Sequence, residues 1–342
     1  MWRWLGLIVT LLLTLELRAA GPLHLFIWSE YLPPDVVADF EQRFACKVVI
    51  DLYEDDAAML AKLQAGGAAL YDVVVPSDHR VPALIKAGLL APLRREHLPN
   101  LKNLEPRFAS PAFDRDNRYT VAYQWGTLGL FVRHRPGRPL PDSWAAVFDP
   151  AAQSGPFVLL DSARDLIGAA LKFQQRSLNS TEPAELKAAR DLLIQAKRRC
   201  LGFDGTVAGK NKVLSKAAAT AMVFSGEGAR GMAEDPDTAY LIPKEGSLIW
   251  VDSLAVLAKA PHRDLAEQFI NFCLEPEISA RISNFTQSAS PNQAARHFLR
   301  PEDLKNPAIY PPEAVLARLE FLEPLGAKSR LYDEVWTQVK AK

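Results

Sequence analysis

Two hydrophobic periods alternate along this chain, and that alternation limits the folds open to it. Residues 23–28 (LHLFIW) read as a strand, and Tyr31-Leu32-Pro33-Pro34 as a turn, because two prolines cannot continue a central strand. Residues 34–44 (PDVVADFEQRF) place apolar side chains at 36, 37, 40 and 44, the spacing of one helix face, with Pro34 suited to a first turn. The spacing predicts a strand over 46–54 (CKVVIDLYE) and a helix over 57–66 that stops at Gly66-Gly67. It then predicts a strand over 71–77 (YDVVVPS), buried on both faces by its valine run, and a helix over 81–90. This β-α-β-α-β-α order is the signature of a parallel α/β sheet.

A second unit follows. Strands are expected at 155–161, 219–224, 238–243 and 248–256, and helices at 162–177, 185–198, 263–274, 276–284 and 331–341. YQWGTLGLFV (123–132) and LIWVDSLAV (248–256) are the candidate crossings between the two units. A chain of 342 residues has the length of about two domains. A cleft between such units, at the carboxyl ends of strands, is the natural ligand site.

The termini and composition narrow the function. MWRWLGLIVTLLLTLELRAAGP carries Arg3, an apolar run from Leu5 to Leu15 and then Ala19-Ala20. That is the grammar of a secretory signal peptide over residues 1–20, with an uncleaved anchor as the alternative. Forty Lys+Arg balance forty Asp+Glu, which argues against nucleic acid or an anionic membrane as partner. Cys46, Cys200 and Cys273 form no CxxC, and the six histidines show no metal-ligand spacing, so neither a cofactor nor a local metal site is predicted. GEGARG (226–231) matches GxGxxG. Only seven residues separate Gly226 from the acid pair Glu234-Asp235 that precedes Pro236, too few for a dinucleotide-binding helix, so a tight strand–turn–helix junction is expected. GTVAGKN (205–211) fails as a phosphate loop in both spacing and last residue.

What recurs is an aromatic residue beside a carboxylate at a strand end. WSEY supplies Trp28, Glu30 and Tyr31; FSGE supplies Phe224 and Glu227; IWVD supplies Trp250 and Asp252; LLDSARD supplies Asp161 and Asp165. Strand alternation puts Trp250 and Asp252 on one face. Each has a bland reading: Asp165 as the third helical residue of a capping box begun by Ser162, Glu30 as a solvated acid, Trp28 and Phe224 as core, Asp252 as partner of a core arginine. Together they suit an organic cation, since aromatic faces attract ammonium groups and carboxylates add charge-assisted hydrogen bonds.

FIWSEYLPP, YDVVVPS, YQWGTLGL, IPKEG…IWVDSLAV and NPAIYPPEAV resemble the spermidine/putrescine-binding proteins of ABC transporters, over essentially the whole chain after the leader. The resemblance implies the type II periplasmic binding protein fold: two α/β lobes that close over a polyamine. It implies a boundary set of 21–127 plus 254–306 for lobe 1 and 128–253 plus 307–342 for lobe 2. It further implies a monomer in the periplasm that serves an inner-membrane ABC permease and performs no chemistry. By local match, Trp28 and Tyr31 would stack on the ligand, Ser29 and Glu30 would hold one amine, and Ser77 would line the same lobe. Asp165, Phe224, Glu227, Trp250 and Asp252 would complete the ligand set. His79, Ser162, Ser288 and Leu322 depart from the family's spermidine or putrescine patterns, which leaves the individual cation open. A ligand-sensing protein for another organic cation, or an enzyme of the same architecture, are the alternatives.

Overall fold

The structure, a computed structural model, describes residues 21–53, 56–137 and 139–342. The expected signal peptide, and Glu54 at the end of the expected second strand, lie outside the described residues. The first unit runs β1 (Leu23–Trp28), α1 (Pro34–Phe44), β2 (Val48–Tyr53), α2 (Asp56–Gln64), β3 (Val73–Val74) and α3 (Val81–Lys86). β4 (Thr120–Arg133) leads to a short α4 (Ala145–Phe148), β5 (Phe157–Leu160), α5 (Ala163–Phe173), α6 (Pro183–Lys197), β6 (Phe203–Asp204) and α7 (Thr206–Leu214). β7 (Thr220–Phe224), α8 (Ser225–Glu234), β8 (Thr238–Leu241) and β9 (Ile249–Val256) follow. The chain ends with α9 (Arg263–Cys273), α10 (Pro276–Thr286), the short α11 (Pro301–Lys305) and α12 (Glu313–Leu316), and α13 (Ser329–Ala341). Among the described residues, no helix is long and apolar enough to cross a membrane.

The strands form the order β2-β1-β3-β9-β4-β7-β5-β6, with β8 also on β4. β1 is parallel to β2 and β3, and β5 is parallel to β6 and β7, as a βαβ chain requires. The two crossing segments break that pattern. β9 runs antiparallel to β3 and to β4, and β4 runs antiparallel to β7 and β8, so the sheet is mixed rather than parallel. The first half of β4 pairs with β9 through Thr120–Thr127, and its second half with β7 through Leu128–Val132. Its first thirteen residues, Thr120 to Val132, are all buried, because both faces are covered along this length.

Local chemistry sets the element ends. Pro34 opens α1, and Ala45 closes it in the left-handed region at φ 48°. The expected strand 71–77 shrinks to Val73–Val74, since Pro76 has no N–H to continue a ladder. α3 ends before Gly88, whose φ of +66° cannot extend a helix. The GEGARG stretch is not a turn: the helix begins at Ser225, directly after β7. Its glycines let α8 lie close to its neighbours, because a Cβ on Gly228 or Gly231 would run into the rings of Tyr240 and Phe131.

α9 and α10 return to the first unit. Phe40 of α1 packs on Phe269 and Phe272 of α9, at 5.1 and 5.4 Å between ring centroids. Arg281 of α10 pairs with Asp35 and Asp39 of α1. The tail packs elsewhere. α13 lies on α5 and α6, and Tyr332 donates to the carbonyls of Leu178 and Ser180. Cys46, Cys200 and Cys273 are all free thiols, two of them buried.

Candidate functional site

Asp252 sits mid-strand on β9, at the meeting point of three segments. Its backbone faces Gln124 of β4 on one side and forms a bridge with Ser77 on the other. Tyr31, in the turn after β1, donates its hydroxyl to Asp252 Oδ2 at 2.6 Å. Asp252 is only 7% exposed, and among the described residues no lysine, arginine or histidine forms an ion pair with it. Burial pushes its carboxyl up to about 7; the Tyr31 and Ser77 hydrogen bonds oppose this, and the Asp56 and Asp78 carboxylates add to it. Tyr31 in turn is held well above the usual tyrosine range, by burial first and by the Asp252 charge second.

A bulge in β4 prepares this corner. Register with β9 slips between Ala122 and Gln124, so Tyr123 is the extra residue. Both neighbours then reach one atom: Tyr123 Oη and Gln124 Nε2 donate to the Tyr31 carbonyl at 2.7 and 3.3 Å. The turn carrying Tyr31 is thereby fixed against β4. Gln124 Oε1 is buried without a partner among the described residues.

Trp250, two residues before Asp252, lies flat over Gly126. A Cβ at Gly126 would sit 2.5 Å from Trp250 Cζ2, so glycine is the residue that lets the indole lie there. Phe224, at the end of β7, meets Trp250 edge-on at 6.2 Å. The Trp250 Nε1–H is buried and has no partner among the described residues. Across the site, Trp28 tilts against Tyr53 at 4.5 Å and anchors its Nε1–H on the Val75 carbonyl at 3.0 Å. Tyr53 donates to the same carbonyl.

Asp56 and Asp78, which the sequence patterns did not single out, lie close enough to Asp252 to raise its carboxyl, and Asp165, which the patterns did single out, lies near Asp78 and His79. Asp78 directly follows Ser77 and is 1% exposed; its Oδ2 lies 3.4 Å from the Val251 amide. Asp56 opens α2, its carboxyl is raised by burial, and its Oδ1 is buried without a partner among the described residues. His79 lies between these two, Nε2 at 3.6 Å from Asp56 and Nδ1 at 3.4 Å from Asp78. Burial works against a charge on His79, but the Asp78 hydrogen bond and the Asp56 carboxylate outweigh it and raise its pKa. Asp165, in the first turn of α5, is the third acid. Burial raises its carboxyl, and the His79 and Arg164 charges pull the other way. Asp56 and Asp78 carry no aromatic neighbour in sequence; the only signal was position, just past the carboxyl ends of β2 and β3.

Other expected groups are used differently. The capping box at Ser162 is not formed: its hydroxyl donates to Asp165 Oδ2 at 2.5 Å, so the serine orients the acid rather than the helix start. Glu227 is buried, but Arg230 and Lys210 already neutralise it. Glu30 stands in solvent at φ 52°, its side chain 77% exposed, with Arg230 Nη1 at 3.9 Å. Both acids thus face Arg230 and not the Asp252 corner. Ser29 lies in the same turn, half-buried. Ser288 is buried beside Gly226, and Leu322 lines a small cavity of about 10 Å³ with Arg164, Asp165 and Gly168.

A corner of buried carboxylates flanked by aromatic faces has the chemistry to hold an organic cation. Comparisons with known proteins agree. Residues 35–312 match the family model for bacterial extracellular solute-binding proteins. The chain belongs to that family. This solute-binding protein is 32% identical to a putrescine/cadaverine-binding protein of Pseudomonas aeruginosa, over 96% of each chain. It is 31% identical to a spermidine/putrescine-binding periplasmic protein of Escherichia coli, over 93% of this chain and 91% of that one. A spermidine/putrescine ABC transporter substrate-binding protein from Streptococcus pneumoniae, of known structure, superposes with a TM-score of 0.85. It is 26% identical and covers 94% of this chain and 99% of that one. The fold is that of the type II periplasmic binding proteins.

Proposed function

We propose that this solute-binding protein captures a polyamine of the putrescine or spermidine class and delivers it to an ABC permease. The observation that carries the reading is Asp252: a nearly fully buried carboxylate with hydrogen-bond donors but no cationic partner among the described residues. An isolated buried charge is costly, and a ligand ammonium completes the pair. Trp250, Phe224 and Trp28 line the path on which the methylenes of a diamine would lie, and Asp56, Asp78 and Asp165 offer charge for a second amine. The names of the relatives above support the same ligand class.

In this reading the chain acts outside the inner membrane, after a signal peptide over residues 1–20 is removed. It works as a monomer, and it binds without transforming. Lobe 1 comprises 21–127 and 254–306, and lobe 2 comprises 128–253 and 307–342; β4 and β9 join them. Tyr31 and Asp165 come from opposite lobes, so only the closed form assembles the full ligand set.

A thermal-shift screen against diamines, polyamines, guanidino compounds and quaternary amines tests the reading. Ligand binding raises stability as ln(1 + [L]/Kd), so putrescine, cadaverine or spermidine should raise Tm in a concentration-dependent way. A chain whose Tm responds to none of the amines, in calorimetry as well as melting, would not be a polyamine-binding protein.

A further inference from the structure

The six histidines show no metal-ligand spacing in sequence, yet the fold brings two of them to one carboxylate. His24 is the second residue of β1, His262 immediately precedes α9, and Asp72 immediately precedes β3. Asp72 is fully buried. Its Oδ2 accepts the His24 backbone N–H at 2.9 Å and its Oδ1 the His262 backbone N–H at 2.6 Å, so the carboxylate is fixed from two sides. Both imidazoles turn the same nitrogen toward it. His262 Nδ1 lies 3.4 Å and His24 Nδ1 3.7 Å from Asp72 Oδ2. The three donor atoms all lie within 4.8 Å of one another. Among the described residues, His24 Nδ1 is buried and has no hydrogen-bond partner.

We propose that His24, Asp72 and His262 form a binding site for a divalent transition-metal ion of the zinc type. Zinc bound to imidazole nitrogen and carboxylate oxygen at its usual bond lengths holds neighbouring tetrahedral donors about 3.4 Å apart. The two histidine–Asp72 separations, 3.4 and 3.7 Å, are close to that edge. Two imidazoles and one carboxylate suit zinc, with nickel and copper as the competing ions, and leave a vertex open for water. The side chains of His24 and His262 are 31% and 32% exposed, which gives an ion a way in. The backbone amides that bind Asp72 supply the outer support that metal-bound carboxylates use. Among the described residues Asp72 has no lysine or arginine partner, so its charge is available to a metal. The other acid–histidine cluster, His97 with Asp264 and Glu267, differs on this point. Arg94 already bonds both of its carboxylates, at 2.5 and 2.6 Å, and fills it with a cation.

The site lies at the opposite end of β1 from Trp28, about 13 Å away at the usual strand rise. A bound ion ties the start of β1, the entry to β3 and the start of α9 together, and binding the folded chain alone it raises stability. The test uses the purified full chain without a polyhistidine tag, stripped with EDTA and then titrated with zinc chloride by calorimetry. His24→Asn and His262→Asn are run in parallel; both positions are part-exposed, and Asp72→Asn serves as a third variant. The expected result is one zinc ion per chain, a higher Tm with zinc, and affinity at least tenfold weaker in each histidine variant. No stoichiometric zinc on the parent chain, or equal affinity in the parent and both histidine variants, overturns the assignment.

Discussion

Asp252 shows how burial, opposed by hydrogen bonds from Tyr31 and Ser77, sets a titration. Burial favours the protonated acid, while the Tyr31 hydroxyl and Ser77 favour the ion, and the balance puts the carboxyl at about 7. The folded value lies above the unfolded one, so the folded chain binds more protons between them. Stability of the ligand-free chain therefore falls as pH rises from the ordinary aspartate range through 7. Cation binding has the opposite sign, because it needs the ionised form. A diamine keeps its charges across this range, as lysine does. Its Kd should therefore rise about tenfold between about pH 8 and about pH 6, as one proton must leave on binding. Calorimetry in matched buffers measures this. A flat profile would remove Asp252 from the ligand.

β4 and β9 carry the site at the scale of elements. Their register places Gly126 opposite Trp250 and Gln124 opposite Asp252. Gly126→Ala would push a Cβ into the indole and into Ser225 Oγ, both 2.5 Å away. Overpacking of this kind costs about 1–3 kcal/mol. Gly126→Ala should therefore lower Tm and weaken amine binding together; a variant that melts and binds like the parent would show that Trp250 is not held by this contact. Much of this architecture was legible in sequence. The largely apolar stretches 123–132 and 248–256 were the candidate crossings, and Trp250 and Asp252 shared a face by alternation alone. Their antiparallel direction was not legible, because period-two patterning carries no polarity. Asp56 and Asp78 were missed because each is polar in a loop-like context, and only the closing of β2 and β3 beside β9 buries them. Glu227 had the right sequence neighbours, yet Arg230, one helical turn on, claims it.

The whole molecule is neutral, with forty basic and forty acidic residues, but its charge is not evenly spread. Asp56, Asp78, Asp165 and Asp252 gather at one corner, offset in part by His79, Arg80 and Arg164, and the acidic excess there draws cations inward. At the rim, Arg230 of α8 bonds Glu227 and reaches toward Glu30 in the turn after β1, a contact that spans the two units. In the proposed reading, binding and closure are coupled, because the acids come from segments on both sides of the β4–β9 crossing. The claim that holds the account together is that the ligand's ammonium is the missing partner of Asp252. Isothermal calorimetry of putrescine and spermidine against the parent chain and Asp252→Asn tests it most directly. The account predicts tight 1:1 binding of at least one amine to the parent, and a loss of about 2–5 kcal/mol in the variant with its melting behaviour otherwise intact. Equal affinity in the two proteins would contradict it.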